Sequence, residues 1–196
     1  MQSTDESLIN AHCRGEPTAF AELVRRYGGS VLRYLTRMSR SREQADDLFQ
    51  ETFKRVHEKA HTFRGSRFRP WLFAIATRVA VDGLRRRRCL RVVSMNPKLD
   101  CYEKNDGGLD AVAVADNSFN PSQAAERAEQ AEQVRQTVEL LPAKQRATLV
   151  LAYYQQLSYR EVAEVLGCSI GTVKVQMYRA LKTLAQKLPD VSGETE

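Results

Sequence analysis

The sequence predicts an all-α protein: two small helical domains joined by a flexible linker, with a helix-turn-helix in the C-terminal domain. Three observations lead there. Apolar residues recur at helical spacing in every sustained segment. No strand-like alternation of useful length occurs, and no repeat of twenty to fifty residues. Residues 92–121 break the periodicity with Pro97, Gly107-Gly108, Pro121 and scattered Asp and Asn, the composition of a tether. The predicted domains are therefore 1–91 and 122–196, with 92–121 between them.

Taken in order, the first predicted helix begins at Pro17, suited to a first helical position. It carries an apolar stripe of Phe20, Leu23, Val24, Tyr27, Val31, Tyr34, Leu35 and Met38. Gly28-Gly29 is a point where it can kink or split. Ser41 with Gln44 forms a capping box and opens a second helix with Ala45, Leu48, Phe49, Thr52, Phe53 and Val56 inward. Its outer face clusters Asp46, Asp47, Gln50 and Glu51. Acids there complement the helix dipole, so the face reads equally as solvated surface or as an acidic docking surface for a protein.

From His61 to Arg91 there are nine Arg, one acid (Asp82) and the aromatics Phe63, Phe68, Trp71 and Phe73. Phe68, Trp71, Leu72, Ile75 and Val79 share a helix face and serve a core. Arg85, Arg86, Arg87 and Arg88 cannot all be buried or paired. They form an electrostatic site for a phosphate backbone, and the upstream aromatics can stack on unpaired bases. The competing reading is a basic helix end complementing its own dipole.

Beyond the linker, Asn120-Pro121 starts a helix to about Leu141, with Ala124, Ala128, Ala131, Val134, Val138 and Leu141 on one side. Pro142 opens another, Ala143 to Tyr154, with Leu149, Val150 and Tyr153 inward. Ser158 and Glu161 form a capping box for a short helix with Val162, Ala163, Val165 and Leu166 on its apolar face, and Gly167 ends it. Ser169 then caps a helix on which Ile170, Val173, Met177, Ala180, Leu181 and Leu184 face inward. Thr172, Lys174, Gln176, Tyr178 and Arg179 are left for other contacts, and their chemistry suits phosphates, base edges and apolar contact in a major groove. An ordinary αα-hairpin with a solvated face fits this stretch as well.

Charge distribution adds to this. Residues 1–90 hold 18 Lys and Arg against 10 Asp and Glu, residues 91–140 hold 5 against 9, and residues 141–196 hold 7 against 5. Two basic ends flanking an acidic middle suit a polyanion gripped by two modules. Cys13, Cys89, Cys101 and Cys168 lie far apart without a CxxC or a nearby His pair, which indicates neither a disulfide framework nor a metal site. No membrane-length apolar run and no basic-apolar N-terminus occur, so a soluble cytoplasmic protein is expected. No nucleotide-binding loop, metalloprotease or nucleophile-elbow motif appears in a fitting context, so neither catalysis nor a cofactor is expected. A conventional regulator that binds duplex DNA and uses residues 1–90 to sense or dimerise stays open, but leaves Trp71 to Arg91 unexplained.

Several ordered motifs resemble the extracytoplasmic-function sigma factors of bacterial RNA polymerase, small members of the main sigma family that keep the second and fourth sigma domains. ADDLFQETFKRVHEKAHTFRG, from Ala45, resembles the polymerase-docking region. FRPWLFAIATRVAVDGLRRRR, from Phe68, resembles the segment that melts and reads the minus-ten element. NPSQAAER followed by LPAKQRATLVLAYYQQLSYREVAEVLGCSIGTVKVQMYRAL is similar to the linker exit and the fourth domain, which reads the minus-thirty-five element. The resemblance implies core RNA polymerase as partner, docked through Asp46, Asp47, Gln50 and Glu51. It implies promoter DNA, as duplex and as melted non-template strand, and an anti-sigma protein. For the minus-ten element it implies Phe63, Arg64, Arg67, Arg69, Trp71, Thr77, Arg78 and Asp82, with Arg85 to Arg88 on backbone. For the minus-thirty-five element it implies Ser169, Thr172, Lys174, Val175, Gln176, Tyr178 and Arg179. Val175-Gln176 stands where the common pattern is Ser-Arg, and a Val there suits a thymine methyl group.

Overall fold

The computed structural model describes residues 3–39, 41–65, 67–93 and 121–188, with the backbone alone for 87–93 and 121–128. The predicted linker falls almost wholly outside the described residues. Those residues form eight α-helices and no strand.

The N-terminal unit contains α1 (Asp5–Cys13), α2 (Pro17–Met38), α3 (Arg42–Lys59) and α4 (Phe68–Val93), with a 3₁₀ turn at Ala60–Thr62 before α4. Helix α1 has no counterpart among the predicted elements. It is nine residues long and buries only Leu8, Ile9 and Ala11, too short a stripe to stand out in the sequence. Thr4 caps it by accepting the Ser7 N–H at 3.2 Å. Helix α2 runs unbroken through Gly28-Gly29, contrary to the expected kink. Gly28 instead brings the helix backbone against Phe49, whose ring would lie 3.6 Å from an added Cβ.

Leu23, Val31, Tyr34, Leu35 and Met38 of α2, Val56 of α3 and Leu72 and Phe73 of α4 are fully enclosed. Burying each such side chain stabilises the fold by roughly 1.5–3 kcal/mol relative to exposure. Inside this core the Tyr34 ring meets the Phe73 edge at 5.5 Å, and its hydroxyl bonds the Thr77 hydroxyl at 2.8 Å. The polar tip of Tyr34 thereby has the partner a buried hydroxyl requires.

The C-terminal unit is α5 (Pro121–Glu139), α6 (Ala143–Leu149), α7 (Tyr159–Leu166) and α8 (Ile170–Lys187). Helix α6 continues as one wide π-turn over Val150–Tyr154, where Gln155 N–H reaches back to the Val150 carbonyl at 3.1 Å. The extra residue in this turn shifts the register. As a result Tyr153, expected inside, is 66% exposed. Three other expected core positions also lie outward: Ala131, Ile170 and Leu181 are exposed, while Val138, Leu141, Val173, Met177 and Ala180 hold the core. On α8 the inner stripe is narrower than the sequence pattern, because only one face meets α6 and α7.

The two units are packed together. Helix α4 lies along α7, and α2 meets α5 and the π-turn. Arg146 on α6 is 4% exposed, and its guanidinium donates to the carbonyls of Met38 (3.0 Å), Leu141 (3.2 Å) and Glu139. A buried cation is tolerable here because the carbonyl ends of α2 and α5 carry partial negative charge.

Candidate nucleic-acid interface and acidic docking face

Helix α3 presents its acids as a patch. Ser41 caps the helix by accepting the Gln44 N–H at 3.3 Å, and the buried Ala45, Thr52, Phe53 and Val56 fix which side faces out. Asp46, Asp47 and Gln50 are exposed on that side. Glu51 is half-buried and receives Arg55 Nε at 2.7 Å, an i,i+4 pair. Beside the patch, Gln44, Asp47 and Leu48 of α3 and Gly83 and Leu84 of α4 line a shallow cleft of about 130 Å³. Gly83 lets the helices approach closely there, since an added Cβ would stand 3.1 Å from Leu48 Cδ2.

The basic-aromatic segment is divided by the fold into inner and outer parts. Phe63, Phe68 and Trp71 form one ring cluster, with centroids 5.3–5.8 Å apart. Phe68 is buried, whereas Phe63 and Trp71 keep partly open faces. Arg64, Arg78, Arg85 and Arg86 are exposed, Asp82 is half-buried, and the side chains of Arg87 and Arg88 lie outside the described residues. Thr77 lies inside the N-terminal core. Only 5% exposed, with its hydroxyl spent on Tyr34, it presents nothing to a nucleic acid in this state. Arg67 and Arg69 are also engaged: Arg67 pairs with Glu164 of α7, and Arg69 donates to the Gln155 carbonyl at the end of the π-turn.

The helix-turn-helix is built as its caps require. Ser158 and Glu161 complete a reciprocal capping box at α7, with Glu161 N–H on Ser158 Oγ at 3.3 Å and Ser158 N–H on Glu161 Oε2 at 2.8 Å. Those Ser158 bonds hold the Glu161 carboxyl below the usual carboxylate range, and nearby Arg67 and Arg69 add to the effect. Gly167 ends α7 at φ +62°, a left-handed conformation in which a Cβ is strained. Ser169 caps α8 by accepting the Thr172 N–H at 3.1 Å, and its hydroxyl also bonds that of Thr172. On the outward face Thr172, Lys174, Val175, Tyr178 and Arg179 are exposed, and Gln176 is half-buried.

Val175 is 47% and Tyr178 66% exposed on this face. Lys174 and Arg179 flank them, and such a mixed basic-apolar face fits a major groove. What the sequence pattern missed is Arg146 and the contact between the units. An arginine among the polar residues that open a short helix carries no signal of burial, and contacts far apart in sequence leave no periodicity. Among the described residues, no three His, Cys, Asp or Glu side chains are grouped as a metal site would need, and no helix is long and apolar enough to cross a membrane.

Comparisons with known proteins agree with this geometry. A family model described as sigma-70 region 2 matches residues 23–89, and one described as sigma-70, region 4 matches residues 131–184. The chain is 30% identical to the RNA polymerase sigma-H factor of Pseudomonas aeruginosa, covering 98% of both chains. It is also 30% identical to the ECF RNA polymerase sigma factor SigW of Bacillus subtilis, over 91% of this chain and 93% of that one. Among solved structures, CnrH in complex with the cytosolic domain of CnrY shares the fold at a TM-score of 0.64 and 24% identity, covering 94% of this chain and 96% of that one. The sigma factor RpoE in complex with the anti-sigma factor NepR from Bartonella quintana does so at 0.62 and 23%, covering 85% and 94%.

Proposed function

The chain belongs to the extracytoplasmic-function sigma factors, transcription initiation factors that direct RNA polymerase to promoters, and from that premise we propose how its own residues divide the work. Residues 1–91 dock on core polymerase and open the minus-ten element, 92–121 connect, and 122–196 anchor the upstream element. The protein has no catalysis of its own and acts in the cytoplasm, where the polymerase is.

The acidic face of α3, with Asp46, Asp47, Gln50 and Glu51, binds core polymerase. Opening DNA costs about 1.4 kcal/mol per base-pair step in lost stacking, so the freed strand needs a basic, partly aromatic surface. Arg64, Arg67, Arg69, Arg78 and Arg85 to Arg88 supply charge, and the open faces of Phe63 and Trp71 supply stacking. Helix α8 enters the major groove with Thr172, Lys174, Val175, Tyr178 and Arg179. A partner of the anti-sigma type restrains the factor; the two solved structures described above, each a complex with a second protein, support that reading.

The observation that carries the proposal is the outward face of α8, a capped helix whose exposed side chains combine base-edge and phosphate chemistry. The experiment is a binding titration of Asp47→Ala with Glu51→Ala against core polymerase. The double variant should bind several-fold more weakly while keeping its fold. Unchanged core binding would remove the docking assignment.

A further inference from the structure

Helix α1 carries none of the residues assigned to polymerase or DNA, yet both of its ends lead to the ring cluster of Phe63, Phe68 and Trp71. At nine residues it would be marginal as an isolated helix in water, so its place depends on what it docks against. It buries Leu8, Ile9 and Ala11 and packs against α2 and the 3₁₀ turn Ala60–Thr62.

The N-terminal end is tied through Asp5. Its carboxylate accepts from the Tyr27 hydroxyl and, at 3.0 Å, from Arg26 Nη1, which also donates to the Ser3 carbonyl at 2.8 Å. The Asp5 and Arg26 side chains are each only 24% exposed, so water and salt screen the pair less than on an open surface. Burial, and then the bond to Asp5, push the Tyr27 hydroxyl well above its ordinary value, so it stays a donor. The ring of the same residue lies 5.3 Å from Phe68. Phe68 in turn meets Trp71 at 5.7 Å and Phe63 at 5.8 Å. A tyrosine fixed at its hydroxyl cannot slide along its neighbour, so Asp5 sets where the Tyr27 ring backs the cluster.

The C-terminal end is tied through the turn. His12 lies 4.7 Å from the Phe20 ring and 4.8 Å from His57, near the end of α3. The turn after α3 packs against α1 and hands the chain directly to Phe63, whose N–H donates to the Ala60 carbonyl at 3.0 Å. Phe63 then meets the Trp71 ring at 5.3 Å. Phe68 is buried, and the two partly open rings rest against it. A ring already held in its stacking orientation takes up a base without the entropy cost of being ordered first.

Resting on the sigma-factor reading, we propose that α1 is a positioning element for melted DNA, with Asp5 and Tyr27 as positioning residues. Neither touches the strand. Asp5 acts through Tyr27 and Phe68, and the contact of α1 with the turn acts through Phe63. Together they hold the open faces of Phe63 and Trp71 in place for unpaired bases.

Trp71 is the chain's one tryptophan, so the fluorescence of the free protein reports on this cluster alone. The full-length chain is compared with Tyr27→Phe, which keeps the ring on Phe68 and loses the tie, and with Asp5→Ala. Acrylamide quenching of Trp71 is measured on the free chains. Binding of fluorescein-labelled single-stranded DNA of mixed sequence is measured on the holoenzymes made with core polymerase. Both variants should open Trp71 to the quencher and weaken single-strand binding by about fivefold, the lower end of what one stacked base contributes. Asp5→Ala removes a negative charge, which alone would tighten DNA binding, so the expected loss has the opposite sign. Combining the two substitutions should lose little more than the worse single one, because both act through one bond. Helical content and core affinity should stay those of the parent. Single-strand binding unchanged in Tyr27→Phe, weakened binding without a change at Trp71, or an equal loss of core affinity would each overturn the positioning role. A parent holoenzyme that binds the single strand no better than core alone would instead overturn the sigma reading, while greater quenching in the variants would still show α1 bracing the rings.

Discussion

Replacing Thr77 by Val separates a structural role from a DNA-reading one. Thr77 is 5% exposed, Tyr34 is fully enclosed, and their hydroxyls are 2.8 Å apart. Val keeps the shape of Thr but leaves the Tyr34 hydroxyl buried without a partner, at a cost of about 1–3 kcal/mol. Tyr34→Phe does the converse, leaving the Thr77 hydroxyl unpaired at a similar cost while the ring contact with Phe73 remains. Removing both hydroxyls strands neither, so the double variant should be more stable than the two losses combined, by about 1 kcal/mol or more of coupling. Urea unfolding followed by circular dichroism reads this out. At an m-value of about 2 kcal/mol per molar, a loss of about 1.5 kcal/mol moves the midpoint by about 0.7 M. Strictly additive losses, or a Thr77→Val variant of unchanged stability that no longer opens promoters, would refute the reasoning and return Thr77 to the DNA.

Other substitutions probe separate parts of the account. Gly167→Ala meets nothing within 4 Å but keeps φ at +62°, so it should cost about 1 kcal/mol from backbone strain alone, measured by urea midpoint. His12 is held below its ordinary value by partial burial and then by His57, its neighbour at 4.8 Å. A histidine with a lowered folded value contributes stability that is present above the unfolded value near 6.5 and lost as pH falls through that range toward the folded value. The thermal midpoint should therefore drop on acidification through that window. His12→Phe should flatten part of the drop, and an identical slope in the variant would contradict the assignment.

Most of the helices were legible because their signals are local. The Ser41, Ser158 and Ser169 caps, Gly167 and the stripes of α2, α3 and α4 each state an element within a few residues. The acidic face of α3 and the outward face of α8 follow from those stripes, since what is not buried must face out. Three things were not local. The π-turn turned Tyr153 outward without leaving a trace in the apolar pattern. Thr77 took its partner from 43 residues away. Arg146 is buried by the nearby Glu139 and Leu141 carbonyls together with the Met38 carbonyl, which becomes a neighbour only after both units have folded and met. Polar residues are where the sequence misleads, because hydropathy cannot distinguish a paired buried group from a free surface one.

Run-off transcription with reconstituted holoenzyme tests the central claim most directly. Core polymerase alone should give no defined product on the promoters bound by this factor. Addition of the protein should give one start site, lost on substituting the outward α8 side chains Lys174 and Arg179 together. Transcription unaffected by the protein on every promoter tried, with no complex formed between it and core polymerase, would contradict the account.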